Sequence, residues 1–156
     1  VKKIWQQETV IAQTQLIARS LKHWTGRTLL AEADTSKSAD LSEKVFHAPF
    51  VLVAHGTEAD PVLNYGNATA LSLWEMTWEE LTSTPSRLTA EAPNREERAR
   101  LLAAVTAKGF IDDYSGIRIS KTARRFRIAQ ATVWNLLDDR GNYCGQAALF
   151  SQREFL

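Results

Sequence analysis

The clearest alternation of apolar and polar positions lies in the last third of the chain. Three runs, Phe110 to Ser120, Arg124 to Leu137 and Tyr143 to Ser151, are divided by short polar breaks at Lys121–Ala123 and Asp138–Asn142. That spacing predicts three strands in an antiparallel meander. In the long middle run, alternation puts Phe126, Ile128, Gln130, Thr132, Trp134 and Leu136 on one face. Arg125, Arg127, Ala129, Ala131, Val133, Asn135 and Leu137 fall on the other. The large residues suit a packed inner face, and the small Ala129, Ala131 and Val133 an outer face that a helix can approach closely.

Upstream the period changes. Val10, Ile17, Leu21 and Trp24 follow helical spacing over residues 1 to about 24, with Gly26 as the stop. The polar, Ser/Asp-rich residues 31 to 44 read as a surface loop with at most a short turn. Phe46–His55, apolar on both faces, reads as a central strand, and Val62–Tyr65 as a second, short one. Asn67 is positioned to cap a helix over Ala68–Trp74. Thr77 and Glu80 have capping-box spacing at the start of the next. Pro85 interrupts, and Ser86–Ala90 can form one more turn. Asn94 is the expected cap of a longer helix that ends at Gly109, with Leu101, Leu102 and Val105 as its buried stripe and Arg95, Arg98 and Arg100 on its wetter side.

The predicted order is therefore helix, two strands, several short helices, one long helix and three strands. This is an α+β chain with a five-stranded antiparallel sheet, interrupted by helices after its second strand and preceded by an amphipathic helix. Residues 1–30 form the N-terminal helix expected to dock on the sheet, and 46–151 the main domain. At 156 residues the chain suits a single domain.

Composition narrows the function classes. With 44% hydrophobic and 24% charged residues and a formal charge of +1, the chain has no electrostatic case for non-specific nucleic-acid binding. Its apolar runs are too short to span a bilayer, and residues 1–24 do not read as a signal peptide. The lone cysteine, Cys144, fits a reducing cytoplasm. The histidines His23, His47 and His55 lack metal-ligand spacing and read as surface or capping residues. Glycine-rich phosphate loops, Ser-His-Asp arrangements and CxxC pairs are all missing, so no enzymatic activity is expected. Arg118, Arg124, Arg125 and Arg127 read as a solvated basic edge or a partner surface.

Several stretches carry a family likeness. Asn64-Tyr65-Gly66-Asn67 through Leu81 resembles the PAS pattern of an Asn-capped short helix followed by a Thr-x-Glu-Glu-Leu helix start. Asp138-Asp139-Arg140-Gly141 through Gly145 resembles the Asp-x-x-Gly turn joining the last two PAS strands. More narrowly, Pro85 to Glu91, Asp113 to Ser120, Arg125-Phe126 and Val133 to Leu136 resemble the MEKHLA domain. This PAS-related family occurs alone in cyanobacteria and other bacteria, and as the C-terminal region of plant class III homeodomain–leucine zipper factors. Glu75 stands where PAS domains commonly place a Gly, and Thr122-Ala123 lacks the Gly often found before the long strand.

The resemblance implies a sensory, ligand-binding or interaction domain without catalysis. It points to the space between the helices and the inner sheet face as the place for a small ligand. Trp74, Trp78, Phe110, Phe126 and Trp134 could line that space, with Gln130, Thr132 and Arg87 as polar anchors. Equally, the aromatics could simply fill a core, leaving a structural dimerisation module. A small enzyme using the sheet cavity is a third reading. The stretch matching the light-sensing flavin motif, Thr84 to Leu88, has no thiol, and residues 94 to 109 hold no histidine for haem. Covalent flavin and haem are therefore disfavoured, and the identity of any cofactor is open. A homodimer or a protein partner is the remaining expectation.

Overall fold

A computed structural model of the chain describes residues 1–31 and 37–156. A 3-10 turn at Ile4–Gln6 leads into α1 (Glu8–Thr25), which ends at Gly26 with φ +75°. The buried residues of α1 are Val10, Thr14, Ile17, Ser20 and Leu21. Part of the expected 31–44 loop, residues 32–36, lies outside the described residues. The remainder departs from expectation: Ser38–Phe46 is a helix, α2, burying Leu41, Ser42, Val45 and Phe46. A polar composition hid an apolar stripe at i, i+4 and i+5 that packs on α1. As a result β1 begins later than expected, at Val51, and runs to His55.

β2 (Leu63–Gly66), α3 (Ala68–Trp74) and α4 (Trp78–Leu81) follow. Two of the three predicted caps form. Thr77 and Glu80 exchange side-chain-to-backbone hydrogen bonds, and Asn67 Oδ1 accepts from Ala70 N at 3.1 Å. Asn67 does more than cap. Its Oδ1 also accepts from Leu52 N, and its Nδ2 donates to Val45 O at 3.1 Å and Phe50 O at 2.9 Å. One fully buried amide thus ties α2, β1 and α3 together. A 3-10 turn at Ser86–Thr89 precedes α5 (Ala92–Lys108). Its cap is Glu91, so Asn94, the expected cap, lies within the first turn.

β3 (Phe110–Ile119), β4 (Arg125–Leu137) and β5 (Tyr143–Phe150) form the meander, and a sixth strand, β6 (Gln152–Phe155), follows a break at Ser151. The antiparallel order is β2-β1-β5-β4-β3, with β6 on β4 beyond the end of β5.

Strict alternation along β4 fails at one residue. Gln130 has φ +54° and sits between the segment paired with β6 and the segment paired with β5. A residue in the left-handed region inserts a bulge and resets which side chains share a face. Phe126 and Ile128, before it, share a face with Ala131 and Val133, after it, against α3 and α5. Trp134 and Leu136 turn the other way and pack with Ile17 and Leu21 of α1. The inner face predicted by uninterrupted alternation is thereby split between two cores.

α1 lies across the second face. Trp134 Nε1 donates to Ile17 O at 3.3 Å, Trp24 Nε1 to Asn135 O at 3.0 Å, and Leu137 N to Ser20 Oγ at 2.9 Å. A Cβ on Gly109 would come within 2.4 Å of the Trp24 ring. A side chain at 109 would therefore push that ring off its seat.

A cavity lined by two buried arginines

Between α5 and the sheet is a cavity of about 60 Å³. Trp74, Ile128, Val133 and Phe150 supply apolar wall, and His55, Arg98, Arg118 and Gln146 supply polar groups. Water occupies roughly 10–15 Å³ of such volume, so the space holds about four to six water-sized atoms.

The sheet brings these polar groups together by register. His55 pairs with Gln146 on β5, which pairs with Asn135 on β4, making a polar row under α5. Gln146 Nε2 donates to Leu102 O at 3.0 Å and to Asn135 Oδ1 at 3.1 Å, while Asn135 Nδ2 donates to Val105 O at 2.9 Å. The row seats α5 by hydrogen bonds rather than by apolar contact alone. Among the described residues, Gln146 Oε1, His55 Nε2 and Trp74 Nε1 are buried without a partner in hydrogen-bonding geometry. Burial holds His55 below its ordinary value of 6.5, and the nearby Arg98 charge adds to this; the Gly56 carbonyl, Gln146 and Glu58 act in the opposite sense.

Arg98, expected on the wetter side of α5, and Arg118, expected in a solvated basic edge or a partner surface, both turn inward instead. They are 9% and 8% exposed. Arg98 hydrogen-bonds Ser86 Oγ. Arg118 donates to Ile117 O at 2.9 Å and to Tyr114 Oη at 3.4 Å, and it lies 5.6 Å from the Tyr114 ring centroid. Tyr114 and Arg118 fold over Gly116, where a Cβ would meet Tyr114 Oη at 2.4 Å. Among the described residues, neither arginine has a carboxylate within ion-pairing distance. Burial, with repulsion from Arg118, pushes Arg98 down to about 10, which leaves it charged at neutral pH.

The residues expected to surround a ligand are dispersed. Trp74 lines the cavity. Phe126 stands behind it, 5.4 Å from the Trp74 ring. Trp78 packs edge-on against Tyr65 on the α1 side, and Phe110 joins the Trp134 cluster there. Gln130 is exposed and accepts from Gln152 Nε2. Thr132 donates to Asp112 Oδ1 at 2.7 Å and accepts from Arg27. Arg87 grips Asp60, both carboxylate oxygens lying 3.1 Å from Nε. His55, also expected at the surface, is 7% exposed. Register around the bulge, which single-strand alternation does not encode, separates Phe126 from Thr132 and Trp134.

A flavin or haem does not fit this space. At about 60 Å³ it is far below the roughly 300–1,000 Å³ of pockets for drug-sized ligands. Cys144 packs with the α1-side cluster, away from the cavity. Among the described residues no His/Cys/Asp/Glu cluster could hold a metal ion, and no helix is long and apolar enough to cross a membrane.

The element order and sheet topology are those of a PAS-like fold. Solved structures agree: the PAS domain of a Colwellia psychrerythraea protein superposes with TM-score 0.59 at 11% identity, over 74% of this chain and 92% of that one. An RNA-binding light-oxygen-voltage receptor gives 0.63 at 15% identity, over 78% of this chain and 33% of that one. The chain belongs to the MEKHLA domain family, which it matches over residues 11–155, so the match takes in most of α1. It is similar to two homeobox-leucine zipper proteins of Arabidopsis thaliana. ATHB-14 is 29% identical over 82% of the chain, and ATHB-9 28% over 82%. The chain spans only 15% and 16% of those proteins.

Proposed function

We propose that this MEKHLA domain is a non-catalytic sensory module in which a small molecule, bound between α5 and the sheet, sets how firmly α5 and α1 are held. The observation that carries this reading is the cavity with charged and incompletely paired polar groups buried around it. A core built only for stability rarely keeps such groups without partners. The output surface is the α1 side of the sheet, because β4 is shared by both helices. Similarity to plant homeobox-leucine zipper proteins fits a regulatory role, with another protein as the partner.

Native mass spectrometry of the purified full chain tests this. The expected result is a small mass adduct that is lost on denaturation, with faster hydrogen exchange in α5 after it is removed. A chain of bare mass whose α5 exchange responds to no metabolite would instead favour a filled-core dimerisation module.

A further inference from the structure

We propose that the cavity is a site for a small monocarboxylate, its head held by Arg98 and Arg118 and its short apolar body against Trp74, Ile128 and Phe150. The proposal rests on the ligand-binding reading above and specifies the chemistry of that ligand.

Two guanidinium groups that line one small cavity and are mostly withdrawn from water repel one another, an arrangement that is unfavourable unless an anion joins them. No carboxylate of the chain does so among the described residues. Among the described residues each guanidinium offers more N–H donors than its protein partners use: Arg98 hydrogen-bonds Ser86, and Arg118 hydrogen-bonds Ile117 O and Tyr114 Oη. A planar carboxylate matches such a fork, because both its oxygens can accept at once. Tyr114 and Gly116 fix the Arg118 side chain, so the site is oriented before any ligand arrives. Apart from His55, Thr89, Tyr114 and Gln146 the rest of the wall is apolar, which favours an acid with a hydrocarbon body over inorganic phosphate. Size limits the ligand to about four to six non-hydrogen atoms, on the scale of acetate to butyrate.

The test compares isosteric acid and amide pairs on the full chain: propionate against propionamide and butyrate against butyramide. Inorganic phosphate is a third probe, and calorimetry and thermal unfolding at constant ionic strength are the readouts. Binding of the acids with no response to the amides is the expected result. Arg98→Gln and Arg118→Gln, each checked for folding by circular dichroism, should weaken the acids at least ~10-fold, as loss of a charge-assisted pair does. The acid–amide comparison on the unmodified chain stands even if a variant fails to fold. Equal binding of amides and acids overturns the anionic assignment while leaving a ligand-binding module. Binding of phosphate alone overturns the carboxylate. No response to any probe overturns the proposal, and the native mass measurement then decides the ligand-binding reading independently.

Discussion

The Glu75 carboxylate accepts a 2.6 Å hydrogen bond from the Ser120 hydroxyl, joining the end of α3 to the turn between β3 and β4. Thr122 Oγ1 donates to the same oxygen, and Lys121 N donates to Trp74 O at 3.1 Å. Glu75 and Ala123 both adopt left-handed backbone, with φ +60° and +68°, at the two positions where the related PAS pattern commonly has Gly. The side chain of one thus fastens the turn that contains the other. Glu75→Gly should lower the melting temperature by loss of these bonds. Glu75→Ala should lower it further, because alanine keeps the backbone penalty without the compensation. Thermal unfolding of the two variants measures the order.

This contact also has a pH signature. The Ser120 and Thr122 hydroxyls hold the Glu75 carboxyl below its ordinary 4.5, so the unfolded chain binds that proton more readily. The stabilisation is fully present above the ordinary value and is lost as pH falls through the lower folded one. Urea midpoints from pH 6 to 3 should fall less steeply in Glu75→Gln than in the parent chain.

His55 acts over a higher window. Its folded value lies below 6.5, chiefly through burial, so the unfolded state takes up the proton first as pH drops. Stability should begin to fall near pH 6.5 and continue downward until the folded histidine itself is protonated. His55→Gln should flatten urea midpoints over this interval. An unchanged slope would count against burial as the cause.

Gly145 permits the close approach of β1 and β5. Its φ is +146°, and a Cβ there would lie 2.2 Å from His55 O. Gly145→Ala should cost about 2–4 kcal/mol, combining backbone strain with overpacking. Chemical denaturation reads this directly, and a loss below half that range would show that the strands separate easily.

At the bulge, Gln130→Gly should be tolerated, since the backbone is already left-handed and the side chain exposed. Gln130→Val should cost about 1–3 kcal/mol from a β-branched residue at positive φ. If valine is accepted without loss, the reset of faces along β4 does not depend on this conformation.

Ile17, fully buried against the sheet, tests the seat of α1. Ile17→Ala should cost about 2–5 kcal/mol. Removing residues 1–25 should uncover Trp134, Leu136 and Leu52. Dye binding and light scattering would report the exposed surface and any association.

Local chemistry was legible in the chain. The Asn67 cap, the Thr77–Glu80 box and the three-strand meander are each written within a few neighbouring residues. The α+β fold and family followed from their order. What escaped depended on distant residues. Charge made Arg98 and Arg118 look turned outward, yet the fold lays both against the interior, where Ser86 meets one and Tyr114 the other. Gln130 is no glycine, so nothing local marked the bulge, and the split of Trp134 from Phe126 followed from it. β6 escaped because its apolar content is only Phe155, and its pairing with β4 exists only once β5 has broken at Ser151.

Asn135 touches both helices at once. Its side chain donates to Val105 O in α5, its carbonyl accepts from Trp24 of α1, and its N–H donates to Gly109 O. The two helices therefore share a single residue as their fulcrum. A pull from α5 on this amide would act on the same residue whose carbonyl holds Trp24, with no other side chain needed between the two helices.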